Sequence, residues 1–361
     1  MKKDLLILTL VFVLISSVFF LFAKTTRGGM DSVYKSWDGP SYVIAAQSLY
    51  VPAQAVQFNS IQSPEIRADF TFLPAHFPLY PLLIRSFSFV GYYQAMLILS
   101  LVFSLAFLVT FYFLAKELRL KNPLLLTLPM ILLPPRWFII SHTGSSEPMF
   151  FFFVLASLLF YFRRSPWLSA ISGSLALMTR PQGALLGLAY LAIALIDLYR
   201  SKDLRLIITR YSPYLLIPLS LLGVFWFYFR QTGDFWAFFS AISIFHHFKL
   251  ALFPTFNFGA LNIETFWQEA NAIYYFIYLA AIIKLFFEKR WQLGVLGIMF
   301  YLPLLFLQHE DISRYALPLM PLAFIAFSKV ISTHSFNLAA LLSTPAIFLY
   351  ATNFILYNRA P

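Results

Sequence analysis

The sequence predicts an all-α fold: a polytopic bundle of transmembrane helices. Three observations carry that expectation. Of the 361 residues, 60% are hydrophobic and only 11% are charged, where a soluble domain carries about 25% charged residues. The apolar runs are continuous and close to the ~20 residues that a spanning helix needs; a membrane β-barrel would instead alternate over ~10-residue segments. In lipid, backbone N–H and C=O groups must pair internally, and a helix does this within a single segment.

Membrane segments are expected near 5–23, 91–115, 123–142, 147–163, 166–179, 182–199, 207–229, 266–287, 291–307, 315–331 and 336–357, about eleven in all. The first begins Met1-Lys2-Lys3-Asp4 and runs apolar to about Ala23. That run is too long for a signal-peptide core and has no clear small-x-small site, so it reads as a helix. A polar loop, 24–80, follows. Within it, Gly39-Pro40 and then Ser41 to Tyr50 predict a short helix lying at the interface, with Pro40 tolerated at its start. Pro74, Pro78 and Pro81 punctuate the return to the membrane. The segment at 166–179 is the shortest. The loop 230–265 contains an aromatic, amphipathic stretch at 235–253 with His246-His247, expected to lie along the outer interface. No soluble domain or repeat interrupts the chain, so 1–361 reads as one membrane-embedded domain.

Charge sets the expected topology. With the N-terminus inside, the inner loops hold 15 of the 26 Lys and Arg against 5 acids, and the outer face holds the remaining 11 bases and 10 acids. The positive-inside rule favours that orientation: a multi-pass protein of the cytoplasmic membrane with a cytoplasmic N-terminus. The formal charge of +11 is thereby a topology signal, and nucleic acid is not an expected partner. Absence of cysteine excludes disulfides and thiolate chemistry.

Outer acids gather in three places: Asp31, Asp38, Glu65 and Asp69; Asp234, Glu264 and Glu269; and Glu310 with Asp311. Asp38, in Ser36-Trp37-Asp38-Gly39-Pro40, has two readings. A carboxylate at the membrane surface can take a proton from an attacking hydroxyl, and Asp before a Pro-started helix is also an ordinary N-cap. His76 and Tyr80 lie in a proline-rich re-entry segment. Glu147 opens a helix, where acids usually serve the dipole. Arg180, in Thr179-Arg180-Pro181-Gln182-Gly183, either clamps a phosphate or snorkels to the interface. Arg314 heads a helix against its dipole, which points to a phosphate; Glu310 and Asp311 are the alternative partners. His246 and His247 are adjacent and face different ways, so they do not form a two-His metal site. No Walker or Rossmann fingerprint is present. No cofactor is expected, and no motif supports a divalent metal.

Trp37-Asp38, Phe77-Pro78-Leu79-Tyr80-Pro81-Leu82, Ser146-Glu147, Thr179-Arg180-Pro181-Gln182-Gly183, Gly233-Asp234-Phe235-Trp236-Ala237-Phe238 and Arg314-Tyr315-Ala316-Leu317-Pro318 follow one another in that order. This series resembles the PIG-V-like mannosyltransferase family of the GT-C glycosyltransferase superfamily, over about residues 30–325. The resemblance implies a GT-C-like bundle using a polyprenyl-phosphate sugar, here likeliest a mannose donor. It further implies a lipid-linked or glycan acceptor at the outer face, with Asp38 as base. Trp37, His76, Tyr80, Glu147, Arg180, Gln182, Arg314 and Tyr315 are then expected to line the substrate site. The alternative reading of the polytopic pattern is a transporter or a lipid-linked glycan flippase, in which intramembrane charges would mark a pathway.

Overall fold

The computed structural model describes residues 1–61, 70–245, 247–256, 265–309 and 311–357. Glu65, Asp69, His246, Glu264 and Glu310 lie outside the described residues. The chain is mostly helical, as composition requires. A two-residue antiparallel ladder, His247–Phe248 with Leu307–Gln308, interrupts the helical pattern. It falls within the aromatic, amphipathic stretch at 235–253, where the helix covers Ala237–Phe245.

Among the described residues, five helices are long and apolar enough to cross a membrane, or seven if each of two bent pairs is one span. The chain is therefore a multi-pass membrane protein. Among the described residues several of the expected segments are bent or broken at proline, which lacks an amide hydrogen and clashes with the preceding turn. Pro123–Ile131 and Pro135–Ser141 meet at 73°, and His334–Leu342 and Thr344–Leu356 meet at 45°. The 291–307 and 315–331 segments likewise break into shorter pieces around Pro303, Pro318 and Pro321.

Helix Lys2–Thr25 shows how sequence becomes packing. Leu8, Phe12, Ile15 and Phe19 are buried, while Leu6, Leu10, Leu14, Val18 and Leu21 are exposed on the other side. Residues four apart share a face. An outer stripe this apolar belongs against lipid, not water. Ser16 Oγ and His142 Nε2 hydrogen-bond at 2.9 Å, fastening this helix to the bent segment across the core.

Three helices set the long axis. Tyr92–Glu117 packs along Glu147–Phe162, which packs along Pro166–Thr179. At 1.5 Å per residue the first is about 39 Å long. Glu147 and Thr179 therefore lie towards one end of the bundle, and Glu117 and Phe162 towards the other. Helix Gly39–Ser48 sits at the first end. Its small and aromatic residues are buried: Tyr42, Val43 and Ala46 pack with Tyr80, Ile84, Met96 and Leu99.

Candidate active site

Asp38 occupies the N-cap position of helix Gly39–Ser48, yet its side chain makes no capping bond. It turns instead to Arg314, whose Nη2 donates to Asp38 Oδ2 at 2.5 Å, across 276 residues of sequence. His76 Nε2 lies 3.8 Å from the other oxygen. The cap reading of Asp38 is thereby corrected: the position is a cap, but the carboxylate is engaged elsewhere. Trp37 makes this possible. It holds a left-handed φ of +51°, a conformation that costs an L-residue roughly 1–2 kcal/mol. Its indole is packed between two guanidiniums, with Arg136 at 4.3 Å and Arg314 at 5.5 Å from the ring, contacts worth about 0.5–2 kcal/mol each.

Charge passes inward from Asp38 as a chain. Arg314 Nε donates to Glu147 Oε1 at 2.8 Å. The same oxygen meets Arg180 Nη1 at 2.9 Å, and Ser145 donates to Glu147 Oε2. Glu147 begins its helix, as a dipole partner would, but its main partners are two arginines. Arg180 also donates to Ser146 Oγ at 3.1 Å and, through Nε, to Gln182 Oε1 at 3.3 Å. Gln182 thus braces Arg180. The turn that brings Arg180 here needs Gly183: a Cβ there would fall 2.3–2.4 Å from the backbone of Leu177.

Exposure is least in the middle of the chain, at Glu147, and greatest at Asp38. The Asp38 side chain is 30% exposed, Arg180 16%, Arg314 10% and Glu147 3%. Asp38 is the open end. Burial by itself would raise its carboxyl pKa, but the Arg314 charge and the His76 contacts outweigh that and hold it well below the usual carboxylate range. Asp38 is therefore ionised at neutral pH, and the Arg314 contact that keeps it so also lowers its proton affinity.

The remaining expected residues divide. His76 is in place, with its ring edge-on to Tyr42 at 4.8 Å and its carbonyl accepting from Tyr50 at 2.6 Å. Its Nδ1 is buried and has no hydrogen-bond partner among the described residues. Tyr80 is a correction. It is fully buried, and its hydroxyl donates to the Met96 carbonyl at 2.8 Å and pairs with Ser100 at 2.7 Å. It holds up Tyr42 from behind, with rings 5.0 Å apart, and does not line the site. Tyr42 is the residue that reaches it, through a 2.6 Å bond between its hydroxyl and Ser146. Tyr315 packs edge-on to His309 at 4.8 Å.

Sequence reading missed the ion pair between Arg136 and Asp311, both fully buried. Arg136 also stacks on Phe354 at 4.1 Å. The signal was available: an arginine inside a predicted membrane segment demands a partner. Asp311 is not the guanidinium partner of Arg314. Its Oδ1 accepts from the Arg314 backbone N–H at 3.1 Å and from Ser313, so it caps the helix that presents Arg314.

No protein-family model matches this chain, and no curated protein matches it.

Proposed function

We propose that the chain is a membrane glycosyltransferase with a GT-C-like architecture. It transfers one hexose, mannose first among the candidates, from a polyprenyl-phosphate sugar to a lipid-linked or glycan acceptor at the outer face of the membrane. The observation that carries the reading is Asp38: an ionised, partly open carboxylate at the rim of an otherwise buried arginine–carboxylate chain. In the proposed reaction, the acceptor hydroxyl gives its proton to Asp38 as its oxygen attacks the anomeric carbon. The bond from that carbon to the phosphate oxygen breaks on the opposite side, which inverts the centre. Polyprenyl phosphate departs with the negative charge, and preorganised cations are what such a leaving group needs.

The two arginines take different parts in this proposal. Arg314 is committed to two carboxylates and so positions Asp38. Arg180 is the more open of the two, and its contacts named above use only Nε and Nη1. It is the better phosphate ligand. The buried Arg136–Asp311 pair is the one observation favouring the transporter reading, because buried charge in a membrane protein often lines a pathway.

The test is transfer by the purified, reconstituted protein from a panel of polyprenyl-phosphate sugars into a membrane lipid extract. Wild type should label a product, and Asp38→Asn should lose about 10²–10⁴-fold in turnover, the range for a lost general base. Asp38→Asn protein that folds and transfers at more than a tenth of the wild-type rate would refute the assignment. Movement of lipid-linked sugar between leaflets without any transfer would establish the transporter instead.

A further inference from the structure

At the end of the bundle away from Asp38, a cavity of about 460 Å³ opens beside Tyr161, Arg164, Pro166, Thr209, Arg210 and Tyr214. The charge around it is unbalanced. Arg163 pairs with Glu117, and Arg210 with Asp197 at 3.3 Å, but no carboxylate pairs with Arg164 among the described residues. Arg210 is loosely held: its second contact, to the Tyr161 hydroxyl, is 3.4 Å, and its side chain is 45% exposed. Arg205 adds a further base on the helix Leu204–Tyr211 that forms one wall.

Arg164 stands where glycine is favoured. Helix Glu147–Phe162 closes with Arg164 N–H bonded to the Tyr161 carbonyl and Ser165 N–H bonded to the Phe160 carbonyl. This is the Schellman arrangement, which places its left-handed residue at Arg164, with φ +57°. Arg119, Lys202 and Lys289 hold similar left-handed positions after their helices, where a base suits the helix dipole. Of these four, Arg164 lines the cavity.

Leu206 lines the cavity and is exposed, and exposed Trp167 and Leu168 directly follow its lining residue Pro166 in sequence. Two guanidiniums and two tyrosines lining one cavity suit a phosphate. Exposed leucines with a tryptophan beside them suit the boundary between headgroup and acyl chain. We infer that this cavity binds the phosphodiester headgroup of an anionic glycerophospholipid, with Arg164 as its principal ligand and the acyl chains leaving past Leu206. This site is separate from the proposed transfer site and does not depend on it.

The experiment uses the full chain, stripped of lipid in mild detergent. Phosphatidylglycerol, phosphatidylcholine or inorganic phosphate is then added, and bound lipid and melting temperature are read. Phosphatidylglycerol should be retained and should raise the melting temperature, with phosphatidylcholine and inorganic phosphate much weaker. Arg164→Gly fits the left-handed position, so it should fold as well as wild type without lipid while losing about tenfold or more in phosphatidylglycerol affinity, the loss expected for a charge-assisted ligand. Arg210→Gln should lose less, because Asp197 already shares that charge. Equal retention by wild type and both variants, or equal retention of the two lipids, would overturn the inference. So would full stabilisation by inorganic phosphate alone, which would assign the cavity to a soluble phosphate compound.

Discussion

Glu147 and Glu117 are both glutamates bonded to arginine, placed at opposite ends of the same pair of packed helices. Glu147 is 3% exposed and shares one oxygen between Arg180 and Arg314. Glu117 is 35% exposed and meets Arg163, itself 43% exposed, at 3.3 Å. The chemistry is the same and the energetics are not. Water screens the Glu117 pair, and such surface pairs contribute about 0–1 kcal/mol. At the other end, removing one partner strands a charge in a low-dielectric interior, which costs about 3–5 kcal/mol. One end of the molecule is built around charges that must stay paired. The other carries charges that remain available to whatever approaches.

The largest expected effect is therefore Glu147→Gln. It leaves Arg180 and Arg314 short of their shared acceptor and should lower stability by ~3–5 kcal/mol, read as a fall in melting temperature in detergent. Glu117→Gln should change stability by less than ~1 kcal/mol. Equal shifts for the two variants would erase the distinction between the ends.

Arg314→Lys comes next. It keeps one charge but loses the fork that spans Asp38 and Glu147. Turnover should fall, by ~100-fold if Asp38 shifts by about 1 Å, with donor KM little changed, because Arg314 positions the carboxylate. Arg180→Lys should chiefly raise donor KM. The opposite split would exchange their roles.

The smallest effect is in acid. The folded-state pKa of Asp38 is depressed, so its contribution to stability is complete above the ordinary aspartate value of about 3.9 and disappears as pH falls through the folded value. Melting temperature should show no Asp38-dependent change from neutral pH to about 5, with the loss confined below about pH 4. Asp38→Asn should flatten that acid limb. A loss beginning near neutrality would mean that the Arg314 contact does not hold the carboxylate ionised.

What could be read in the sequence depended on whether a residue's partner was nearby or distant. Composition alone gave the helical membrane class. Asp38, His76, Glu147, Arg180, Gln182 and Arg314 were each conspicuous as polar groups at helix ends, and the fold gathers them. Their partners were not legible, because Arg314 reaches Asp38 over 276 residues and Glu147 over 167. Glu310 and Asp311 were the local choices for Arg314; Asp311 serves its backbone instead, and Glu310 lies outside the described residues. Tyr80 misled for a different reason. A tyrosine in a proline-rich turn looks presented to solvent, but its hydroxyl is satisfied by Met96 and Ser100 in the next helix. Bends within a segment were not legible where prolines turn an apolar run, by 73° in one pair and 45° in another, since hydropathy measures length and not direction. The neutral look of the 123–142 run also hid Arg136.

The Arg136–Asp311 pair has a consequence for how the protein is made. About 175 residues separate the two, and at a synthesis rate of roughly 5–20 residues per second Arg136 leaves the ribosome about 9–35 s before its partner exists. During that interval the Arg136 guanidinium lacks its buried carboxylate partner, so the Pro135–Ser141 helix should reach its final packing only when the Asp311 turn arrives. Integration of the middle of the chain is then completed from its C-terminal third. Chains released before residue 311 should remain in the membrane with this helix accessible from water, and they should be cleared by quality-control proteases faster than the finished protein.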